Sequence, residues 1–403
     1  MKRSARLGLL VSLLATTGAA AGTKKPSPQE AVVASNTAFA VKLYQQLSTQ
    51  PGNVFVSPYS LSSLLTITWA GARGGTASEL AHSLQLTGGA SAVHAGYARL
   101  QKELMPDTPV PYQLSIANGI FVRQGLALNP EFQKVAQESY AAQVEPLDFT
   151  TQPEPSRKHI NRWVANQTHN RIKDLLPPGL IGPNSQLILA NAIYFKGAWL
   201  KPFDSRSTGP EPFTSLEGER FDAPTMRQWE VALPYVEHPD LQILALPYKG
   251  KALSMLILLP RKPQGLKALE RKLSPRQLMA WTRGLSPREV DVYLPKFKLK
   301  YEAQMMPPLQ ELGIKRAFRC EAADFSGLAQ SKDLCLSAVV HKSFLEVNEE
   351  GSEAAAVSMA HLVTTSIKPP TPVFRADHPF LFAIRDDHSG SILFLGRLMD
   401  PRG

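Results

Sequence analysis

Cysteine is nearly absent: the 403-residue chain holds only Cys320 and Cys335. That excludes a disulfide-dense scaffold, and two cysteines at this spacing make no metal site. Whether they pair stays open here, because the Cα separation a disulfide needs is a property of the fold. Nine histidines are scattered along the chain with no i, i+4 pair, and no His-Glu-x-x-His run is present. Also missing are a Gly-x-Ser-x-Gly elbow, a Gly-x-Gly-x-x-Gly turn and a phosphate loop. A hydrolase triad is spatial rather than sequential, but nothing raises one Ser and one His above the others. No stretch reaches the roughly 20 apolar residues of a membrane span. Neither a catalyst with a metal or cofactor nor a membrane protein is expected.

What is present is ordinary globular material, with 43% hydrophobic and 19% charged residues. The start reads as an export leader: Lys2, Arg3 and Arg6, a short apolar run over 7–15, then Ala19 and Ala21 around Ala20. Residues 1–21 are therefore expected to be a signal peptide, 22–30 a polar spacer and 31–403 one domain, secreted or extracellular, with a periplasm as the other destination. The short Arg-rich leader leans towards a bacterial source. The formal charge of +10 falls to +7 without the leader's three basic residues. That surplus is modest. The basic stretch Arg157, Lys158, Arg162, Arg171 and Lys173 reads as a solvated helix face rather than a nucleic-acid or polyanion site.

Apolar spacing predicts helices over 31–47, 59–70, 76–86, 91–104, 130–140 and 155–176. Strands are expected over 53–57, 187–195, 241–247, 253–260, 290–301, 379–382 and 392–396, with a hairpin at 248–251. Helices come mostly first and strands later, without repeats or a linker, which indicates an α+β domain.

Residues 344–374 hold the most unusual stretch. A strand-like start, 344–347, leads into two acids, Gly351, and a run of small residues without proline. Pro369, Pro370 and Pro372 close it. Alternate residues from Ser352 are Ser, Ala, Ala, Ser, Ala, Leu and Thr, none charged. Such a stretch can enter a sheet with its bland face buried and every N–H available to a ladder. Composition alone favours an alanine-rich helix or a flexible linker over such insertion.

Several motifs then occur in one order. They are Asn53-Val-Phe-Val-Ser-Pro-Tyr-Ser-Leu61, Asn191-Ala-Ile-Tyr-Phe-Lys-Gly-Ala-Trp-Leu-Lys-Pro-Phe203, Leu294-Pro-Lys-Phe297, Ala323-Asp-Phe-Ser-Gly327, Leu336-Ser-Ala-Val-Val-His-Lys-Ser343, Glu349-Glu-Gly-Ser-Glu-Ala-Ala-Ala356 and His378-Pro-Phe380. Over about residues 30–403 the chain closely resembles the serpin family, of the inhibitory type. The resemblance implies three β-sheets, about nine helices and an exposed reactive-centre loop at about 349–370. It implies an inhibitor and not an enzyme. A serine protease cleaves the loop and forms an acyl-enzyme. The freed loop inserts into the main sheet, and the trapped protease cannot finish deacylation.

Carried over residue by residue, the resemblance makes Glu349, Glu350, Gly351, Ser352, Glu353, Ala354, Ala355 and Ala356 the loop's hinge. It sets the scissile bond at Thr365–Ser366, with Thr364–Thr365 the near alternative. A small, uncharged residue before the cut points to an elastase-like or subtilisin-like protease rather than a trypsin-like one. Ser57, Ser60, Asn191 and His341 match a polar cluster, the shutter, beneath the sheet's opening point. Trp199, Lys296 and Glu349 match the breach, where insertion begins. The region 71–104 is short of basic residues, so heparin is not an expected partner, and a monomer is. The competing reading is a non-inhibitory serpin, acting as carrier, chaperone or plain protease substrate; an unrelated secreted hydrolase is the remote third.

Overall fold

The computed structural model describes residues 25–331, 333–352 and 370–403. The expected leader and, in the loop, Glu353, Ala354, Ala355, Ala356, Thr364, Thr365 and Ser366 lie outside the described residues.

Helix starts follow local chemistry. Ser27 accepts from the Glu30 N–H while the Glu30 carboxylate accepts from the Ser27 N–H at 2.7 Å, a capping box that starts the helix Pro28–Leu47. The helix expected from residue 31 thus begins three residues earlier, within the expected polar spacer 22–30. Ser57 caps the helix Pro58–Gly71 through the Ser60 N–H at 3.1 Å, with Pro58 in the first turn. That helix is buried on almost every side, as its apolar sequence requires. The helix expected over 155–176 stops at Gln167, because His169 and Asn170 take positive φ.

Two ladders carry the strands. A six-stranded sheet runs in the order Phe297–Gln304, Leu336–Val347, Leu187–Ala198, Tyr112–Arg123, Gln143–Leu147, with Gly351–Ser352 added against Leu187–Ala198. The other ladder has nine strands and turns on the long strand Arg220–His238. This strand is broken by a bulge between Gln228 and Val231. Its first half pairs with Gly209–Thr214 and its last residues with Leu241–Pro247. Its two halves thus belong to two sheets that share this long strand, and the main sheet is the third. Among the described residues there are nine α-helices, and the class is α+β.

The strand expected over 290–301 is two strands. Ser286–Pro295 joins the nine-stranded ladder and Phe297–Gln304 the main sheet, with Lys296 at the crossing. Pro295 cannot donate to a ladder, so the chain changes partners there. The strands Tyr112–Arg123 and Gln143–Leu147, unforeseen, show that helices and strands interleave in the first half.

The main sheet is covered on both faces. A large core joins it to the nine-stranded ladder and to Pro58–Gly71. Ile160 and Val164, on the helix Pro153–Gln167, pack with Phe121, Ile188 and Ala190 on the other face. Double-sided burial explains why 187–195 reads as a continuous apolar run rather than an alternation. Cys320 and Cys335 form a disulfide with a Cα separation of 4.7 Å, one residue before the strand Leu336–Val347 begins.

Candidate functional site

Leu336–Val347 and Leu187–Ala198 lie side by side and parallel, paired from Leu336↔Leu187 to Phe344↔Tyr194. Above Phe344 they part. In that gap the chain reverses through Asn348–Gly351: the Gly351 N–H donates to the Asn348 carbonyl at 3.2 Å, and the Asn348 N–H to the Gly351 carbonyl at 3.0 Å. The Asn348 side chain tightens the reversal by accepting from Glu350 N–H and Gly351 N–H. Gly351 and Ser352 then run antiparallel to Ala198 and Gly197. They make the first rung of a strand between two parallel neighbours, antiparallel to both.

Glycine is required at this reversal. Gly351 has φ +139°, and a Cβ there would lie 2.2 Å from the Gly197 carbonyl oxygen. Ser352 follows, 1% exposed, with its hydroxyl 3.0 Å from that of Tyr248. Tyr248 stacks on Trp199 at 4.6 Å. The Trp199 indole donates to the Asn348 carbonyl at 3.0 Å, and the Trp199 and Phe203 N–H groups hold the carbonyls of Glu350 and Glu349. Lys296 Nζ sits 2.9 Å from Glu349 Oε2. Burial opposes ionisation of Glu349, yet hydrogen bonds, that of Lys296 foremost, and the lysine's charge hold its pKa below the usual carboxylate value. Lys296 is 39% exposed, so the pair contributes only ~0–1 kcal/mol.

Lower in the same seam, one row crosses three strands: His341 is the register partner of Asn191, and Asn191 that of Asn118. The Ser57 N–H donates to His341 Nε2 at 3.2 Å. A backbone N–H cannot accept, so the proton of the neutral ring is on Nδ1, which donates to Asn191 Oδ1 at 2.5 Å. Asn191 Nδ2 donates to Ser60 Oγ and Asn118 Oδ1, and Asn118 Nδ2 donates to Ser63 Oγ. The Ser57 hydroxyl closes the set by donating to the Leu393 carbonyl at 2.7 Å. Complete burial lowers the His341 pKa to about 3. The network clamps the parallel seam to the N-terminal end of Pro58–Gly71, and losing one partner costs ~1–3 kcal/mol.

The structure therefore brings Ser57, Ser60, Asn191 and His341 into one hydrogen-bonded set. It gathers Trp199, Lys296, Glu349, Glu350, Gly351 and Ser352 at the top of the seam. Sequence reading misses Asn118, Tyr248 and Asn348. Asn118-Gly119 is a dipeptide that ordinarily marks a hairpin turn. Its place inside an apolar run is the available signal. Tyr248 belongs to an expected hairpin, and nothing local ties it to Ser352. Among the described residues no helix is long and apolar enough to cross a membrane.

The model of the family Serpin (serine protease inhibitor) matches residues 34–401. The leukocyte elastase inhibitor of Bos taurus is 41% identical over 381 residues, covering 92% of this chain and all of that protein. Serpin B9 of Homo sapiens is 40% identical over 368 residues, 90% of this chain and 97% of its own. A serpin of the insect Tenebrio molitor, described as highly specific, matches in structure with a TM-score of 0.81 and 35% identity, covering 92% of this chain and 98% of that one. Serpin1 of Arabidopsis, solved in its native stressed conformation, gives a TM-score of 0.82 at 28% identity, covering 94% of this chain and 99% of its own. These sequence relatives are mammalian and lend no support to a bacterial source. With its family model spanning nearly the whole chain and a fully covered relative at 41% identity, the chain belongs to the serpin family.

Proposed function

We propose that this serpin inhibits serine endopeptidases as a suicide substrate, by inserting its cleaved loop into the main sheet. The observation that carries the reading is the rung Gly351–Ser352, antiparallel at the mouth of a parallel seam. A strand continuing downward from Ser352 would separate Leu336–Val347 from Leu187–Ala198 and replace one parallel pairing with two antiparallel ones, which are slightly more stable per residue. Ser352 has the side chain such an insertion needs first: small, uncharged, and satisfied by a buried hydroxyl.

The hinge is Glu349 to Ala356 and the bait bond Thr365–Ser366, with Thr364–Thr365 next to it. The shutter is Ser57, Ser60, Asn191 and His341, and the breach Trp199, Lys296 and Glu349. The threonine before the cut favours an elastase-like or subtilisin-like target, in keeping with relatives named leukocyte elastase inhibitor. The leader 1–21 favours export and an extracellular site of action for a monomer.

Mixing the chain lacking residues 1–21 with pancreatic elastase, subtilisin, chymotrypsin and trypsin in separate tubes tests this. The expected result is a boiling-stable adduct with one of the first two, plus a released peptide beginning at Ser366. Loop cleavage without an adduct for any of the four, and without a rise in Tm of the cleaved product, would establish the non-inhibitory reading instead.

A further inference from the structure

Trp229 is 48% exposed and Val373 45% exposed, two of only four large apolar side chains so open among the described residues. Both belong to one small region. Trp229 and Glu230 are the extra residues of the bulge in Arg220–His238, opposite the strand Ser286–Pro295. Val373 pairs with Asp291 on the other side of that same strand. Two strand spacings, roughly 10 Å, separate them.

Asp291 joins the two sides. Its N–H donates to the Pro372 carbonyl at 2.9 Å, holding the segment that returns from the bait. Its carboxylate accepts from the Glu230 N–H at 2.8 Å. Glu230 has φ +49°, a left-handed conformation that a residue with a Cβ takes only when its surroundings impose it. On the other side of Trp229, the Gln228 side chain donates to the carbonyls of Lys201 and Pro202. The bulge is thus braced from two directions, and its effect is to hold an indole in solvent. Internal packing gives no reason for that cost.

We propose that Trp229 is a second contact for the target protease, seated with Val373 on the apolar rim of the enzyme beside the subsites for residues after the cut. The inference rests on the inhibitor reading above. Its occupant follows from continuity in the chain: Val373 lies seven residues beyond Ser366, the residue after the proposed cut, so an enzyme held on that bond is within reach of this surface. A half-exposed tryptophan on a braced backbone suits an interface hot spot, because little ordering is left to be done on binding. Asp291 acts as the positioning residue.

The test uses whichever protease of the four the native loop traps fastest, and measures the second-order rate of adduct formation. Trp229→Ala is expected to slow trapping about tenfold, with Trp229→Phe retaining most of the rate. Asp291→Ala is expected to give a smaller fall. The stoichiometry of inhibition and Tm should stay as in the native chain, since neither the hinge nor the core is touched. Trapping by Trp229→Ala at the native rate overturns the inference and leaves the inhibitor reading intact. So does a slowing matched by an equal loss of Tm, or a change only in self-association by sedimentation. No adduct from the native chain with any protease overturns both.

Discussion

Ser352 and Tyr248 meet hydroxyl to hydroxyl at 3.0 Å, in a gap closed by the Trp199 ring. Burial raises the Tyr248 pKa, and the contact with Ser352 works against that rise. The phenol therefore stays neutral, so the rung Gly351–Ser352 is held by a neutral hydrogen bond. Such a bond is worth ~1 kcal/mol, enough to bias the hinge inward and weak enough to be remade as a strand advances.

Placing a charge at that rung should convert inhibitor into substrate. In Ser352→Arg the guanidinium has no partner beside Tyr248, and burying it is costly. On gels, cleaved chain is expected to replace the stable adduct almost completely. Native trapping efficiency in this variant would remove Ser352 from the hinge.

Gly351→Ala tests the reversal itself. The added methyl would sit 2.2 Å from the Gly197 carbonyl oxygen at a φ of +139°, so the rung must open. Hydrogen exchange at the N–H groups of Trp199 and Phe203, which hold the Glu350 and Glu349 carbonyls, should speed up by roughly tenfold or more. Unchanged protection at both would show that the reversal tolerates a side chain.

His341 predicts a dependence on pH. Its pKa is about 3 when folded, by burial, against ~6.5 unfolded. The unfolded state therefore binds the extra proton. This contribution is complete above pH ~6.5 and is lost as pH falls towards 3. Between pH 7 and 5 the loss is about 2 kcal/mol. Urea midpoints at the two pH values should differ less in His341→Gln than in the native chain. Equal differences would assign the acid sensitivity to other groups.

The disulfide should anchor the lower end of the seam. Cys335 immediately precedes the strand Leu336–Val347, and a loop of this size contributes about 3 kcal/mol through the unfolded state. Replacing both cysteines by serine is expected to lower Tm by roughly 5 °C and leave the adduct on gels unchanged. A parallel loss of trapping would show that the crosslink also guides insertion.

Much of the fold is legible in the order of residues. The strands 241–247 and 253–260 follow from it to the residue, because an apolar run bounded by turn residues is local information. Pro130–Tyr140 is equally plain from its proline, its spacing and its end. The strand Tyr112–Arg123 is not, since it alternates poorly and carries Asn118-Gly119 in its middle. Lys296 stands out through its motif. That it marks the crossing between two sheets depends on where the strands on either side find partners.

By itself the sequence determined the family, the small uncharged alternate residues that follow Gly351, and the four residues of the polar cluster, since each is a matter of residue type and order. The tertiary structure decided the rest. It placed Ser352 against Tyr248, Asn118 beside Asn191, and Trp229 on a bulge one strand away from Val373–Arg375. It also joined Cys320 to Cys335. The physical reason is common to all four: each depends on the register of strands or the approach of segments distant in the chain, which packing of the whole domain sets and no local run of residues encodes.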